Sequence, residues 1–339
     1  MNIIIPMAGR GSRLRPHTLT TPKPLVPVAG KPIVERLVED IVRMLPTSVD
    51  KIAFVTGRFG EENEKALIEI ASRLGAEGRI CYQDEPLGTA HAILCGDELL
   101  DGPVVVAFAD TLFKADFIID AEADGVLFTQ KIDDPSAFGV VVTNEKGGIT
   151  DYVEKPKEFV SDQAMIGIYS FKDGARLKKE LQYLIDKNII HSGEYQLPDA
   201  LRNMTKNGLK FIPGEVGEWM DCGNKEVTVE TNRRVLNILK EEGRLHEGSG
   251  IDPTAEIIDS FVISPCYIGP GVKIVRSVVG PHVSLGANTA VTNSTLQDCL
   301  IQRDTIIDNT VMDGAMVGAK ASVIGTPLDV SIGDFSSIG

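Results

Sequence analysis

From Ile251 onward the chain carries a large aliphatic residue at every fifth or sixth position: Ile251, Ile257, Val262, Ile268, Ile274, Val279, Leu285, Val291 and Leu296, then Val317, Val323, Ile332 and Ile338. Several are followed at once by glycine, as in Ile268-Gly269, Val279-Gly280, Leu285-Gly286, Val317-Gly318 and Ile332-Gly333. This is the hexapeptide repeat of a parallel β-helix, in which the aliphatic side chain fills the interior of each turn and the small residue negotiates the corner. An irregular β-rich tail is the weaker alternative. The period allows roughly five coils. The repeat runs to Gly339 without a capping helix, so we expect either that another molecule covers that end or that the chain has been shortened.

The other end of the chain holds a glycine loop. Met7-Ala8-Gly9-Arg10-Gly11-Ser12-Arg13-Leu14 follows the apolar run Ile3-Ile4-Ile5 and precedes Pro22-Lys23-Pro24-Leu25. Glycines at 9 and 11 let the backbone turn tightly and aim N–H groups at phosphate oxygens, while Arg13 and Lys23 add full positive charges. The combination predicts a triphosphate-binding site. A dinucleotide fingerprint is excluded because Leu14 stands where its third glycine belongs, and the pattern G-x-x-x-x-G-K-[ST] is absent. Taken alone, the loop reads equally well as a surface turn with two solvated basic residues.

Between these ends, strand-like and amphipathic segments alternate: strand 2–6, helix 32–45, strand 51–56, helix 61–74, strand 79–82, helix 89–99 and strand 103–109. Such alternation predicts a largely parallel, doubly wound α/β sheet. Ligands of these sheets bind beyond the carboxyl ends of the strands, where the 7–15 loop and Asp110 fall. A strand-rich part follows at 124–131, 139–144, 148–154 and 164–171, then helices near 173–187 and 195–206. A helix from Lys225 to about Gly243 leads out. The expected domains are therefore 1–243 and 244–339.

With 339 residues and 43% hydrophobic content, the chain has apolar material for a large core and a length that favours two domains. The net charge of −14 argues against a nucleic-acid partner, but a local basic pocket can still receive a small anion. No run of about eighteen apolar residues and no signal-peptide pattern are present, so we expect neither membrane span nor secretion, and a cytoplasmic location. Cys81, Cys95, Cys222, Cys266 and Cys299 lack C-x-x-C spacing, which disfavours a disulfide framework or a zinc site.

Residues 8–25 resemble the signature of the sugar-nucleotide pyrophosphorylases, enzymes that act on sugar 1-phosphates, whose pattern is roughly G-G-x-G-T-R-L followed by a P-K-P-L segment. Ala8 replaces the first glycine and Ser12 the threonine. The resemblance continues through Gln83, Pro86-Leu87-Gly88-Thr89-Ala90, Asp110, Phe138-Gly139-Val140-Val141, Glu154-Lys155-Pro156 and Trp219-Met220-Asp221-Cys222-Gly223, in the family's order. It implies a Rossmann-like doubly wound mixed sheet, the nucleotide-diphospho-sugar transferase fold, followed by a left-handed β-helix. It also implies a reaction: a sugar 1-phosphate oxygen attacks the α-phosphorus of a nucleoside triphosphate and pyrophosphate leaves.

Carried over position by position, the resemblance assigns Arg13 and Lys23 to the triphosphate and transition state. Met7, Ala8, Gly9, Gly11 and Ser12 would lie against the nucleotide, with Gln83, Gly88 and Thr89 at the base. Gly139, Glu154, Lys155 and Tyr169 would take the sugar phosphate. Asp110 and Asp221 would hold Mg²⁺, a hard ion content with few carboxylates plus substrate oxygens. Either aspartate could instead cap a helix or turn, and Tyr169 could simply be packed in its strand.

Two departures bear on the substrate. Ser192 precedes Gly193-Glu194 where thymidylyltransferases of the family carry arginine, and Met165-Ile166-Gly167 stands where the N-acetylglucosamine branch shows N-T-G. The expected pair is glucose 1-phosphate with dTTP or UTP. The alternatives are a mannose-1-phosphate guanylyltransferase or another nucleotide–sugar pair, a bifunctional nucleotidyl/acyltransferase, for which His282 is the only candidate base, and a non-catalytic homologue. Every chemically meaningful motif precedes residue 224, so the β-helix is expected to stabilise and to assemble a homo-oligomer.

Overall fold

The run Ile3-Ile4-Ile5 is fully buried and forms strand Asn2–Pro6 inside a nine-stranded sheet. A strand covered on both faces needs this kind of continuous apolar run. The computed structural model describes residues 1–9, 11–120, 123–245 and 250–326. Strand Asn2–Pro6 pairs in parallel with Lys51–Thr56 on one side and Val104–Ala107 on the other, and Glu77–Tyr82 continues the parallel set. Beyond Val104–Ala107 the direction reverses: Gln163–Phe171 runs antiparallel to it and also pairs with Gly125–Lys131 and Gly139–Thr143. The sheet is thus mixed, with its antiparallel half built from the strand-rich segment.

Six α-helices are described: α1 (Ile33–Met44), α2 (Glu61–Arg73), α3 (Thr89–Leu94), α4 (Gly174–Asp186), α5 (Leu197–Lys206) and α6 (Lys225–Glu241). In α1 the residues Ile33, Val34, Leu37, Val38, Ile41 and Met44 are buried, the apolar stripe of a helix packed by one face. The expected helix 89–99 is shorter. It stops at Leu94, and a single 3₁₀ turn, Asp97–Leu99, follows Gly96, a residue costly inside a helix. The expected strand 103–109 ends at Ala107, because the Phe108 N–H turns aside to the Gly167 carbonyl at 2.9 Å.

Two short strands escape the periodicity of the sequence. Thr111–Lys114 and Glu218–Asp221 pair antiparallel, with Thr111 opposite Asp221. They are too short to show alternation, yet they bring residues 110 and 221 together.

The chain divides into two compact units, Met1–Val26 with Lys31–Gly223, and Pro27–Gly30 with Asn224–Gly339. This division falls before α6, whereas the sequence placed a boundary at 243. The reason lies within the second unit. Asn232 of α6 is fully buried, accepts from the Ala29 N–H at 2.9 Å and the Ser284 hydroxyl at 2.7 Å, and donates to the His282 carbonyl at 3.3 Å.

The rest of the second unit is a parallel β-helix of three sheets, with Glu256–Ile258, Phe261–Val262 and Cys266–Ile268 as the first described strands of each. Registers step from Glu256 to Lys273 to Ala290, then to Ile306 and Ser322. Ile268, Ile274, Val279, Leu285, Val291 and Leu296 fill the interior, fully buried. The interval that looked empty between Leu296 and Val317 is occupied by Cys299, Ile301, Ile307 and Met312. Ile332, Gly333 and Ile338 lie outside the described residues.

Corners are turned by more than glycine. Asp259, Arg276, Asn293 and Asn309 all adopt positive φ one coil apart, and so do Asn288, Asp304 and Lys320. Asparagine and aspartate tolerate this conformation better than other side chains. Neighbours along these columns bond to each other, Arg276 to Asn293 at 2.8 Å and Asn288 to Asp304 at 3.2 Å.

His282 belongs to this architecture. Its Nε2 lies 3.0 Å from Asn237 Oδ1 of α6, and its Nδ1 is 3.2 Å from Asp298 Oδ1, an ion-pair distance without hydrogen-bond alignment. Tied to Asn237 through Nε2 and lying beside Asp298, it serves the packing of α6 on the coils. The five cysteines are free thiols, and burial pushes Cys266 up to about 11.

Candidate active site

All the residues singled out in the sequence line one cleft of about 930 Å³: Met7, Ala8, Gly9, Gly11, Ser12, Arg13, Lys23, Gln83, Gly88, Thr89, Asp110, Gly139, Glu154, Lys155, Tyr169 and Asp221. The cleft opens where Asn2–Pro6, Glu77–Tyr82 and Val104–Ala107 end, the carboxyl edge at which a doubly wound sheet leaves room for a ligand.

The glycine loop and Lys23 form one wall. Gly11 sits at φ +58, ahead of the 3₁₀ turn Ser12–Leu14, and its carbonyl accepts from the Thr18 hydroxyl at 2.8 Å. A Cβ at position 11 would stand 2.8 Å from the Cβ of Lys23. Glycine therefore lets the lysine pass. Lys23, in a second 3₁₀ turn, Lys23–Leu25, is only 8% exposed, and its Nζ reaches to 3.6 Å from Asp110 Oδ2.

Asp110 and Asp221 lie side by side because the strands that begin at Thr111 and end at Asp221 pair, and the Cys222 N–H donates to the Asp110 carbonyl at 3.2 Å. Burial pushes the Asp221 carboxyl above its ordinary range and Asp110 adds to the shift, while Lys23, Arg13 and the Gly223 N–H oppose it. Neither aspartate acts as the side-chain cap of a described helix; Asp173 and Asn224 do so at α4 and α6. Among the described residues no group of three or more His, Cys, Asp or Glu side chains could enclose a metal ion. Two adjacent carboxylates, one of them half-withdrawn from water, fit a hard cation that takes its remaining ligands from a substrate.

Opposite this wall, Gln83 Nε2 donates to the Gly88 carbonyl at 3.2 Å. Gly88 has φ +113, and a Cβ there would meet the Tyr195 carbonyl at 2.4 Å. The Thr89 hydroxyl accepts from the Leu197 N–H at 2.9 Å. It thus ties α3 to the start of α5, a structural duty that the sequence reading did not include.

At the far end, Glu154 folds over Gly139, where an added Cβ would stand 2.7 Å from its Oε2 and 2.6 Å from Met165 Cε. Lys155 follows at φ +44 with its N–H on the Phe138 carbonyl. Tyr169 is 6% exposed, edge-on to Phe108 at 6.4 Å, and burial drives its phenol well above the usual range, with Glu154 and Asp110 adding to the effect. It is packed in its strand and also borders the cleft.

Several lining residues were not among the expected site residues. Gln196 and Pro198 reach the cleft only because α5 begins there, and Glu194 because its loop abuts Gly88. Trp219 packs edge-on to Phe138 at 4.7 Å and donates its indole N–H to Thr111. Both aromatics stand in quoted motifs, and only the fold shows them paired.

Residues 2–238 match the family described as nucleotidyl transferase. The chain belongs to the nucleotidyl transferase family. Among relatives of this nucleotidyl transferase, the low-salt glycan biosynthesis nucleotidyltransferase Agl11 of Haloferax volcanii is 27% identical, with 100% of this chain and 99% of that protein covered. The glucose-1-phosphate thymidylyltransferase of Streptomyces antibioticus is 28% identical over 95% of this chain and 93% of its own. Among solved structures, a UDP-glucose pyrophosphorylase complexed with UDP-glucose is 25% identical, with a TM-score of 0.56, covering 70% of this chain and 98% of that one. The nucleotidyl transferase is accordingly an enzyme that carries the pyrophosphorylase fold, with a parallel β-helix after it. Among its described residues no helix is long and apolar enough to cross a membrane.

Proposed function

We propose that this nucleotidyl transferase joins glucose 1-phosphate to dTTP or UTP, giving the nucleoside-diphosphate sugar and pyrophosphate. The observation that carries the reading is the meeting of Lys23 with Asp110 at 3.6 Å inside a cleft that also holds Arg13, Lys155 and Asp221. Cations and carboxylates together suit a reaction between two anions. The choice of substrate pair rests on the likeness to the Streptomyces thymidylyltransferase and to the UDP-glucose pyrophosphorylase.

Catalysis of phosphoryl-type transfer is mostly positioning and charge neutralisation. Arg13 and Lys23 face the triphosphate and stabilise the charge that builds on the equatorial and leaving oxygens. Lys155 holds the sugar phosphate against its repulsion from the nucleotide. Glu154, held over Gly139, accepts hydrogen bonds from sugar hydroxyls. Met7, Ala8, Gly9 and Ser12 lie along base and ribose. Asp110 and Asp221 would hold Mg²⁺, which supplies charge neutralisation on the phosphates when bound.

The test is pyrophosphate release by the full chain with each nucleoside triphosphate against glucose, mannose and N-acetylglucosamine 1-phosphates. Release with dTTP or UTP and glucose 1-phosphate is expected, and turnover only with another pair would reassign the substrates. The same reading carries a cytoplasmic homo-oligomer, which cell fractionation and size-exclusion chromatography check.

A further inference from the structure

The side-chain nitrogen of Gln83 makes two contacts. Nε2 donates to the Gly88 carbonyl at 3.2 Å and lies 3.2 Å from Nδ1 of His91 on α3. A backbone carbonyl can only accept, so the Gly88 contact orients the amide with its nitrogen toward residues 88 and 91. His91 Nδ1 must then present its lone pair, and the ring proton sits on Nε2. Both N–H bonds of the Gln83 amide are thereby used. Any hydrogen bond that Gln83 makes to a ligand in the cleft is one that its Oε1 accepts.

From this geometry we infer that His91 is a positioning residue that sets the class of nucleobase: it holds Gln83 so that the base is favoured when its ring nitrogen carries an N–H donor. The inference rests on the reading of the cleft as a nucleoside triphosphate site. Uracil and thymine offer such a donor at N3 and guanine at N1, whereas cytosine N3 and adenine N1 would set a lone pair against Oε1, and those two bases can donate to it only by shifting their exocyclic amino group into the place of the ring nitrogen. Without His91, the Gly88 carbonyl would occupy only one of the two amide N–H bonds. The amide, held by a single bond, could then rotate and present its nitrogen to the ligand, and Gln83 would become a mixed donor and acceptor. His91 removes that option. Sites built around committed polar groups reject a mismatched partner more strongly than apolar ones, since a mismatch leaves a polar group unpaired.

The experiment compares the full-length wild type with His91→Leu and His91→Asn, measuring kcat and KM for UTP and CTP with glucose 1-phosphate saturating. In His91→Leu the preference for UTP over CTP should fall about tenfold, the loss expected for one neutral hydrogen bond that fixes a half-buried amide. The change should appear in KM, with kcat for UTP much less affected. His91→Asn keeps an acceptor oxygen and should restore the preference to within about threefold, the spread of a single such bond. His91→Ala, equally without an acceptor, replaces the leucine variant if that one does not fold.

In the wild type, long-range ¹H–¹⁵N correlation spectra should show the Nε2–H tautomer of His91. An Nδ1–H tautomer, or an unchanged UTP/CTP ratio in a folded His91→Leu protein, overturns the role given to His91. A wild type that turns over no nucleotide overturns the reading of the site itself, so the two failures are distinguishable.

Discussion

The Nζ of Lys23 stands 3.6 Å from Oδ2 of Asp110, with the lysine side chain 10% exposed and the aspartate 57%. The cation is buried in the wall while its counter-charge faces the open cleft. An arriving phosphate can therefore replace Asp110 as the lysine's partner without pulling the cation out of its seat. Lys23→Ala and Arg13→Ala should each lower kcat by roughly two to three orders of magnitude, the cost of losing one pre-organised charge stabiliser. Turnover within a few fold of wild type for both, in the pyrophosphate-release assay, would reject the site.

The carboxyl of Asp221 is held above its ordinary range, which makes the stability of the fold depend on pH. Burial and Asp110 disfavour its charged form in the fold, while Lys23 and Arg13 favour it. The stability associated with this group is fully present below its unfolded pKa and is lost as pH rises through the raised folded value. Asp221→Asn should thus raise Tm near neutral pH, and the advantage should shrink on acidification toward the ordinary carboxylate range. Asp110→Asn should shift the titration of Asp221 downward and Lys23→Ala upward, as followed by ¹³C carboxyl chemical shifts.

The proposed Mg²⁺ site gives each carboxylate a second test. Asp110→Asn and Asp221→Asn should both move the Mg²⁺ dependence of turnover to higher concentration, because a site with few carboxylates loses much of its charge with either one. Identical metal titrations in both variants would make the aspartates structural.

Gly139→Ala should damage sugar-phosphate binding more than nucleotide binding. The new methyl meets Glu154 Oε2 and Met165 Cε, both side-chain ends, so the fold can yield while Glu154 is displaced. A rise in KM for glucose 1-phosphate of about tenfold, as for one lost hydrogen bond to a charged group, with a much smaller change for the nucleotide, is expected. Equal effects on both substrates would place Glu154 elsewhere in the reaction.

Asn232→Ala should cost about 2–4 kcal/mol in chemical denaturation, because it leaves more than one buried polar group unsatisfied. The groups orphaned are the Ala29 N–H, the Ser284 hydroxyl and the His282 carbonyl. A loss no greater than that of a surface substitution would show that α6 is held to the coils by other means.

Part of this cleft was legible in the sequence: the glycine loop and its basic residues stand close together along the chain, and the residues from Gln83 to Asp221 were carried over from the resemblance to the sugar-nucleotide pyrophosphorylases. Gly11 ahead of Arg13, and Lys23 between two prolines, announce themselves locally, and so does the aliphatic period from Ile251 to Leu296. A repeat can be read from the chain alone because every turn obeys the same packing rule. Other features depend on contacts between distant segments. Asp110 becomes the neighbour of Asp221 through two four-residue strands too short to show a pattern. Thr89, which lines the cleft, also becomes a clamp through the N–H of Leu197, and Gln83 is given its orientation by Gly88 and His91 together. Helix α6 joins the coils through the buried Asn232 and through Asn237, although its sequence reads as the end of the first domain. Residue types and periods are local properties of the chain. The state of a side chain, which partner holds it and which atom it leaves for a ligand, depends on what folding brings within three ångströms, and only the tertiary structure decides that.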